Sequence, residues 1–326
     1  MPAPLLASVG KPRCSFSQDA TGHASGCTSA AAFRARQGLP AGEDEGVANQ
    51  HFANLGDVWK HLWLTGVVGD LRPGQYVETH AGSALYQLVD DAERALGVRT
   101  FLALSGEDDL LRSNPYRRQL AEFVVGPEPS YPGSPMLAMM LLGRACRYVF
   151  CDTDRASVDD LLATRDRLGL HDRVQVVHGD GLAETLALLE TRAIGQASLV
   201  HVDPFDFREP GPGGASARDL VVRLAAAAIP TVVWYHLATQ ADPLEVFRDV
   251  TAAAPEARVW CAELHVGGPR ANLAGIGGSG CGILLAGIAP PPGTRQAAEA
   301  FVAAFNDLTA DTDLQVSIEP VFATST

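Results

Sequence analysis

The sequence predicts an α/β fold built on a doubly wound, mainly parallel sheet. Three observations carry this. Short apolar runs alternate with stretches of helical periodicity, the order that gives parallel strands joined by crossover helices. Four of those runs lead into an acidic residue, Glu78, Asp152, Asp180 or Asp203, at the strand ends where open sheets bind ligands. Hydrophobic residues make up 47% of the 326, enough for a substantial core in one large domain or one domain with an insertion.

Residues 1–46 are rich in Gly, Ala, Ser and Pro without sustained periodicity, and read as an irregular tail. The main domain is expected over 47–326. Val58, Leu62, Val67 and Val68 recur at helical spacing and predict a helix over 56–69. The turn Arg72-Pro73-Gly74 precedes a first strand at 75–79. Residues 89–130 then interrupt the alternation with partly helical pattern and the acidic Glu107-Asp108-Asp109, a helical insertion before the second strand. Further strands are expected at 147–151, 174–177, 197–202, 231–235, 258–266 and 282–287. Helices are expected at 157–168, 182–190, 217–228 and 243–254.

The formal charge is −13, from 25 basic and 38 acidic residues. Nucleic-acid enzymes commonly gain affinity by neutralising phosphates, and here no basic cluster exceeds Arg117-Arg118. The balance favours a small-molecule or peptide partner over extended RNA contact. Six scattered cysteines without a CxxC pair predict neither structural zinc nor a disulfide framework, so no metal is expected. No run reaches the roughly 18 apolar residues of a membrane span, and the N-terminus lacks a secretory pattern. A cytoplasmic protein without a membrane partner is expected.

The strand ends hold the candidate chemistry. Glu78-Thr79-His80-Ala81-Gly82-Ser83 makes either a cofactor loop, whose backbone approaches a ligand closely, or a simple strand-to-helix turn. Asp152 is placed to accept hydrogen bonds from ribose hydroxyls, or with Asp154 to cap the next helix. Asp180-Gly181 suits an adenine edge or, again, an N-cap. Capping alone accounts poorly for acidic residues at four successive strand ends. Asp203-Pro204-Phe205-Asp206-Phe207 follows a buried strand; a lone Lys60-His61 on a helix reads as a solvated charge beside a structural histidine. Tyr131-Pro132-Gly133-Ser134-Pro135 is a turn by composition.

Taken in order, Asp57-Val58-Trp59-Lys60-His61, Glu78-Thr79-His80-Ala81-Gly82, Tyr131–Pro135, Asp152, Asp180-Gly181, Val202-Asp203-Pro204-Phe205 and Trp234-Tyr235-His236 resemble the bacterial 23S rRNA adenine-N6 methyltransferases. The resemblance spans about residues 49–290. It implies a Rossmann-like class I methyltransferase sheet whose last strand is antiparallel. It implies S-adenosyl-L-methionine (SAM) as cofactor, with contacts from His61, His80, Gly82, Ser134, Asp152, Asp180 and Asp203. Asp203, Lys60 and Phe205 are the implied catalytic group: the Asp and a backbone carbonyl accept from the target amine, and an aromatic ring stacks on the substrate.

Besides its extra N-terminal tail, the chain departs from that family in two places. Where the family carries a second Pro stands Phe205, and Asp206 occupies the aromatic position, leaving Phe205 or Phe207 to stack. The family's catalytic Tyr, shortly before a Phe-His-Ala-Gly-Asn run, has no counterpart in 46–52, and His51-Phe52-Ala53-Asn54 only approximates that run. With the acidity, these departures predict a methyltransferase recruited to a specialised small-molecule or peptide acceptor. An rRNA adenine is the alternative acceptor, and a SAM- or nucleoside-binding protein without turnover is a third reading.

Overall fold

The computed structural model of the protein describes residues 51–125, 129–237, 244–268, 274–276, 279–310 and 316–324. The expected 1–46 tail, with Cys14 and Cys27, lies outside the described residues.

Helix α1 (Leu55–Leu71) opens at Asn54, whose side chain accepts from the Asp57 N–H, and closes at Arg72 in the left-handed region at φ 43°. Pro73 follows, where a helix cannot continue. Twelve of its 17 residues are buried, so α1 is a core helix rather than an amphipathic cover. It lies over one face of the sheet beside α2 (Pro292–Ala310) and the helices of the insertion.

The main sheet has eight strands: β1 (Gln75–Glu78), β4 (Arg147–Asp152), β5 (Val174–His178), β6 (Ser198–Val202), β7 (Thr231–Leu237), β8 (Val259–Gly267), β9 (Gly280–Ala286) and β10 (Ser317–Thr324). Their spatial order is β10-β8-β9-β7-β6-β1-β4-β5. β1 pairs in parallel with β4 on one side and β6 on the other. The chain therefore winds outward both ways from β1, and the strand order reverses beside it, where open α/β sheets bind ligands. β9 runs antiparallel between β7 and β8, the reversed strand the resemblance implied. Alternation along the strands divides the core: Tyr76, Phe150, Leu199 and Val232 pack beneath α1, while Val77, Val149, Val200 and Val233 face the other layer.

Strand and helix positions agree with the sequence expectation to within a few residues, with two additions. A small sheet pairs β2 (Leu85–Gln87) with β3 (Ser130–Pro132); three-residue strands are too short to show a period. After β9, expected as the last strand, come α2 and β10, the latter antiparallel to β8. The interrupted region 92–123 is helical, with turns capped by the Asp91, Asp108 and Asn114 side chains. Part of the acidic Glu107-Asp108-Asp109 run is thus capping chemistry. Within this region Gly97 passes the chain so closely that a Cβ there would lie 2.2 Å from the Ala53 carbonyl oxygen.

Candidate active site

The loop after β1 is held against its neighbours by backbone contacts. Ala81 N–H donates to the Cys151 carbonyl. Gly82 N–H donates to Asp152 Oδ2 at 2.7 Å, while Oδ1 accepts from Asp154 N–H. Gly82 sits at φ 62°, and a Cβ there would meet the Tyr86 hydroxyl at 2.5 Å. Gly181 approaches the same loop from β5, and its Cβ would fall 1.9 Å from the Thr79 carbonyl oxygen. Both glycines are required by close approach. Asp154, not Asp152, caps the helix Arg155–Arg167, so the Asp152 carboxylate ties the loop and stays at the cleft edge.

Several expected cofactor residues are engaged within the protein. Asp180 Oδ1 accepts from Leu182 N–H, capping Gly181–Glu190, and Oδ2 accepts from Gly213 N–H at 2.8 Å. The N-cap alternative for Asp180 is therefore realised. Ser134 Oγ donates to Glu78 Oε1. His61 is only 2% exposed, with Nδ1 2.7 Å from the Tyr131 hydroxyl and Nε2 buried without a partner among the described residues. Burial lowers its pKa well below the ordinary histidine value. His80 Nδ1 lies 2.8 Å from Thr79 Oγ1, and burial lowers its pKa too.

On the other side of the cleft α1 meets the loop after β6. Lys60 Nζ lies 2.8 Å from both Asp57 Oδ1 and Asp203 Oδ2, and the Lys60 and Asp203 side chains are 11% and 14% exposed. Burial alone would lower the lysine pKa, but the two carboxylates outweigh it and hold the ammonium above its ordinary range. Burial likewise opposes ionisation of Asp203, and Lys60 reverses that, leaving the carboxyl pKa below its usual value. The solvated lysine that helix position alone suggested is thus a buried cation between two anions.

The altered motif resolves into distinct roles. Phe205 is 58% exposed and meets His236 edge-on at 6.1 Å. Phe207 is buried against Tyr235, which removes it as a stacking surface. Asp206 Oδ1 accepts from Arg208 and Glu209 N–H and shapes the turn. Phe52, from the run that approximates the family's N-terminal motif, stacks on Tyr86 at 4.6 Å, and the Tyr86 hydroxyl accepts from Ser83 N–H in the cofactor loop.

Sequence reasoning missed His201, and it set Glu78 at a ligand-binding strand end where the structure buries its side chain. Glu78 and His201 are wholly buried, with His201 Nδ1 2.7 Å from Glu78 Oε1 and the Tyr76 hydroxyl donating to Oε2 at 3.2 Å. The signal was a histidine inside an otherwise apolar strand. Glu78 thereby joins β1, β6 and the start of the helix Ser134–Leu142, three elements that present site residues. Among the described residues no group of three or more His, Cys, Asp or Glu is placed to hold a metal ion. No helix among them is long and apolar enough to cross a membrane.

Protein LPL1258 from Legionella pneumophila is similar in structure, with TM-score 0.62 and 22% identity over 85% of this chain and 99% of that one. This likeness shows the fold. A SAM-dependent methyltransferase from Agrobacterium tumefaciens shows a looser likeness, at TM-score 0.39 and 11% identity over 71% of this chain and 61% of that one. Among curated protein sequences none matches. The family described as "Ribosomal RNA large subunit methyltransferase D, RlmJ" matches residues 72–312. The small-molecule or peptide acceptor expected from the charge finds no support in that match, because net charge reports on overall attraction and not on the shape of a site. The protein is a methyltransferase with SAM as its methyl donor, and the chain belongs to the family of ribosomal RNA large subunit methyltransferase D, RlmJ.

Proposed function

We propose that the protein methylates the exocyclic N6 amine of an adenine in large-subunit rRNA. The observation that carries this reading is the Lys60–Asp203 pair at 2.8 Å, with Phe205 exposed beside it. A carboxylate held ionised at the end of β6 is a fixed hydrogen-bond acceptor, and a neutral amine beside it is oriented rather than protonated. The Pro204 backbone carbonyl is the second acceptor in this reading. Phe205 offers its face to a base taken out of its stack.

The residues present fit the cofactor. Asp152, whose oxygens each accept one backbone N–H, keeps a further lone pair on each for the ribose hydroxyls. The buried Nε2 of His61 lacks a partner among the described residues, and a ligand carboxylate would complete it. Gly82 and His80 line the turn between these positions. With their side chains engaged, Ser134 and Asp180 contribute in this proposal through backbone N–H groups at the starts of their helices. When bound, SAM supplies an electrophilic methyl group on a sulfonium. Lys60 does no proton transfer here; it keeps Asp203 charged and joins α1 to the acceptor loop. The 47–326 region serves as one methyltransferase domain with an insertion over about 89–130, and a cytoplasmic location suits a ribosomal acceptor.

The test supplies methyl-labelled SAM and large-subunit RNA, then digests the RNA to nucleosides. Labelled N6-methyladenosine is the expected product. Label confined to a metabolite or a protein, with none in RNA, overturns the reading.

A further inference from the structure

Trp234 and His236 occupy alternate positions of β7 and lie on the sheet face that α1 covers. Their intervening neighbour Tyr235 belongs to the opposite core layer. A Cβ on Gly56 of α1 would sit 3.5 Å from Trp234 Cζ2 and 3.6 Å from Ile276 Cγ1. Lys60 Nζ stands 5.5 Å from the Trp234 ring centroid. The His236 ring meets Trp234 edge-on at 4.3 Å and Phe205 edge-on at 6.1 Å. It is therefore fixed between the exposed ring of the acceptor loop and the indole beneath Lys60.

The two nitrogens of this ring differ. The nearby Ile276 backbone favours the protonated ring. Nδ1 is buried and has no partner among the described residues. A neutral ring that carries its proton on Nε2 presents Nδ1 as a lone pair. Burial lowers the His236 pKa and so favours that neutral form. A buried acceptor without a donor is costly unless something supplies one. Phe205, exposed at the acceptor loop, is a ring neighbour of His236, so a nucleotide bound at that loop lies beside this ring.

We propose that His236 Nδ1 accepts a hydrogen bond from an N–H or O–H donor of the acceptor nucleotide, which makes His236 a specificity-determining residue of the acceptor site. The proposal rests on the RNA reading above. The exocyclic amine gives its two hydrogens to Asp203 and the Pro204 carbonyl, so the ribose 2′-hydroxyl is the donor that fits. A base edge that offers a carbonyl there would set lone pair against lone pair and be disfavoured.

The test uses the full chain, saturating SAM and a large-subunit RNA fragment that the unsubstituted protein methylates. His236→Phe keeps an aromatic ring against Trp234 and removes the acceptor. His236→Asn restores an oxygen near the Nδ1 position. His236→Phe should lower kcat/KM for RNA about tenfold, the effect of one hydrogen bond, and His236→Asn should recover most of that loss. SAM affinity, read by calorimetry, should be the same in all three proteins, which also shows that each is folded.

A 2′-deoxy nucleotide at the target tests the hydroxyl as donor. The deoxy substrate should lower the unsubstituted protein to the His236→Phe level and leave His236→Phe unchanged. An equal response of both proteins overturns the hydroxyl as donor and the assignment with it. His236→Phe within twofold of the unsubstituted protein, or His236→Asn no better than His236→Phe, overturns the assignment alone. Absence of RNA methylation by the unsubstituted protein counts against the RNA reading and this assignment together.

Discussion

Lys60→Met should destabilise the protein far more than Asp203→Asn, although the two side chains form one ion pair. Lys60 Nζ touches two carboxylates, Asp57 and Asp203, each at 2.8 Å. Removing the lysine leaves two buried anions facing a methionine, and breaking a buried pair in this way costs about 3–5 kcal/mol. Asp57 Oδ2 retains the Ala53 N–H at 2.6 Å, which offsets part of the cost on that side only. Removing the Asp203 charge is milder. The amide oxygen still accepts from Lys60, and Asp57 still neutralises it, so about 1 kcal/mol is expected. At roughly 2–4 °C per kcal/mol for a domain of this size, Lys60→Met should lower Tm by about 6–20 °C and Asp203→Asn by about 2–4 °C. Urea unfolding of both variants and the double variant checks the order. Turnover should rank the other way in one respect: Asp203→Asn should reduce kcat by far more than it weakens SAM binding, since its contacts matter as the amine is oriented. Equal or greater destabilisation by Asp203→Asn would refute the reasoning, because it would mean that Asp57 does not share the lysine.

Three further outcomes follow from the same geometry. Asp152→Ala should weaken SAM binding by about 1–3 kcal/mol in calorimetry through loss of a charged acceptor and of its hold on Gly82 N–H; unchanged affinity would remove Asp152 from the ribose. Gly181→Ala should destabilise by about 1–3 kcal/mol or more, because its Cβ would overlap the Thr79 carbonyl, and Tm at fixed SAM reads this directly. The urea midpoint should be flat between about pH 7 and 8, because above it the unfolded chain ionises thiols that burial keeps protonated in the fold, Cys146, Cys151, Cys261 and Cys281. Below that window the unfolded chain protonates histidines whose pKa values burial lowers in the fold, His61, His80 and His236, so stability falls. Further acid removes the contribution of Asp203, whose folded pKa is depressed, and alkali above the window removes that of Lys60, whose folded pKa is raised. Stability that rises on acidification from pH 6.5 to 5 would contradict the histidine environments.

The fold was legible because strands and helices alternate with different apolar periods, and because the strand ends are acidic. The bounds of β1, β4 and β6 needed little more than a hydrophobic run and a turn. The site was legible only in part. Sequence places Asp203 at a strand end, yet it cannot show that α1 carries Lys60 to within 2.8 Å of it, since 143 residues separate them. It also cannot decide between a cap and a ligand contact for Asp180, because both use the same carboxylate; Gly213, 33 residues on, settles that both oxygens are engaged. Phe205 and Phe207 are equivalent in composition, and burial against Tyr235 separates them. His201 and His236 were hidden for the same reason: strand alternation assigns a face, not the group waiting across it.

The acidity that pointed away from RNA bears instead on how RNA would be held. Described arginines at the surface are largely neutralised in place: Arg99 by Asp90, Arg112 by Asp109, Arg144 by Asp172, Arg155 by Asp159 and Arg295 by Glu299, all within 3.0 Å. An arginine already paired with a carboxylate releases little on meeting a phosphate, because the phosphate must displace that partner. Few counterions are then released on binding. Each phosphate contact to single-stranded RNA contributes about −0.7 to the slope of log affinity against log salt, so two or three contacts predict a slope near −2. Recognition would rest on the flipped base and its neighbours, with Asp203, Phe205 and His236 providing discrimination rather than affinity. Filter binding of a methylated-site RNA fragment across a salt series measures this slope. A value steeper than about −5 would show many phosphate contacts, and would mean that the paired arginines rearrange on binding.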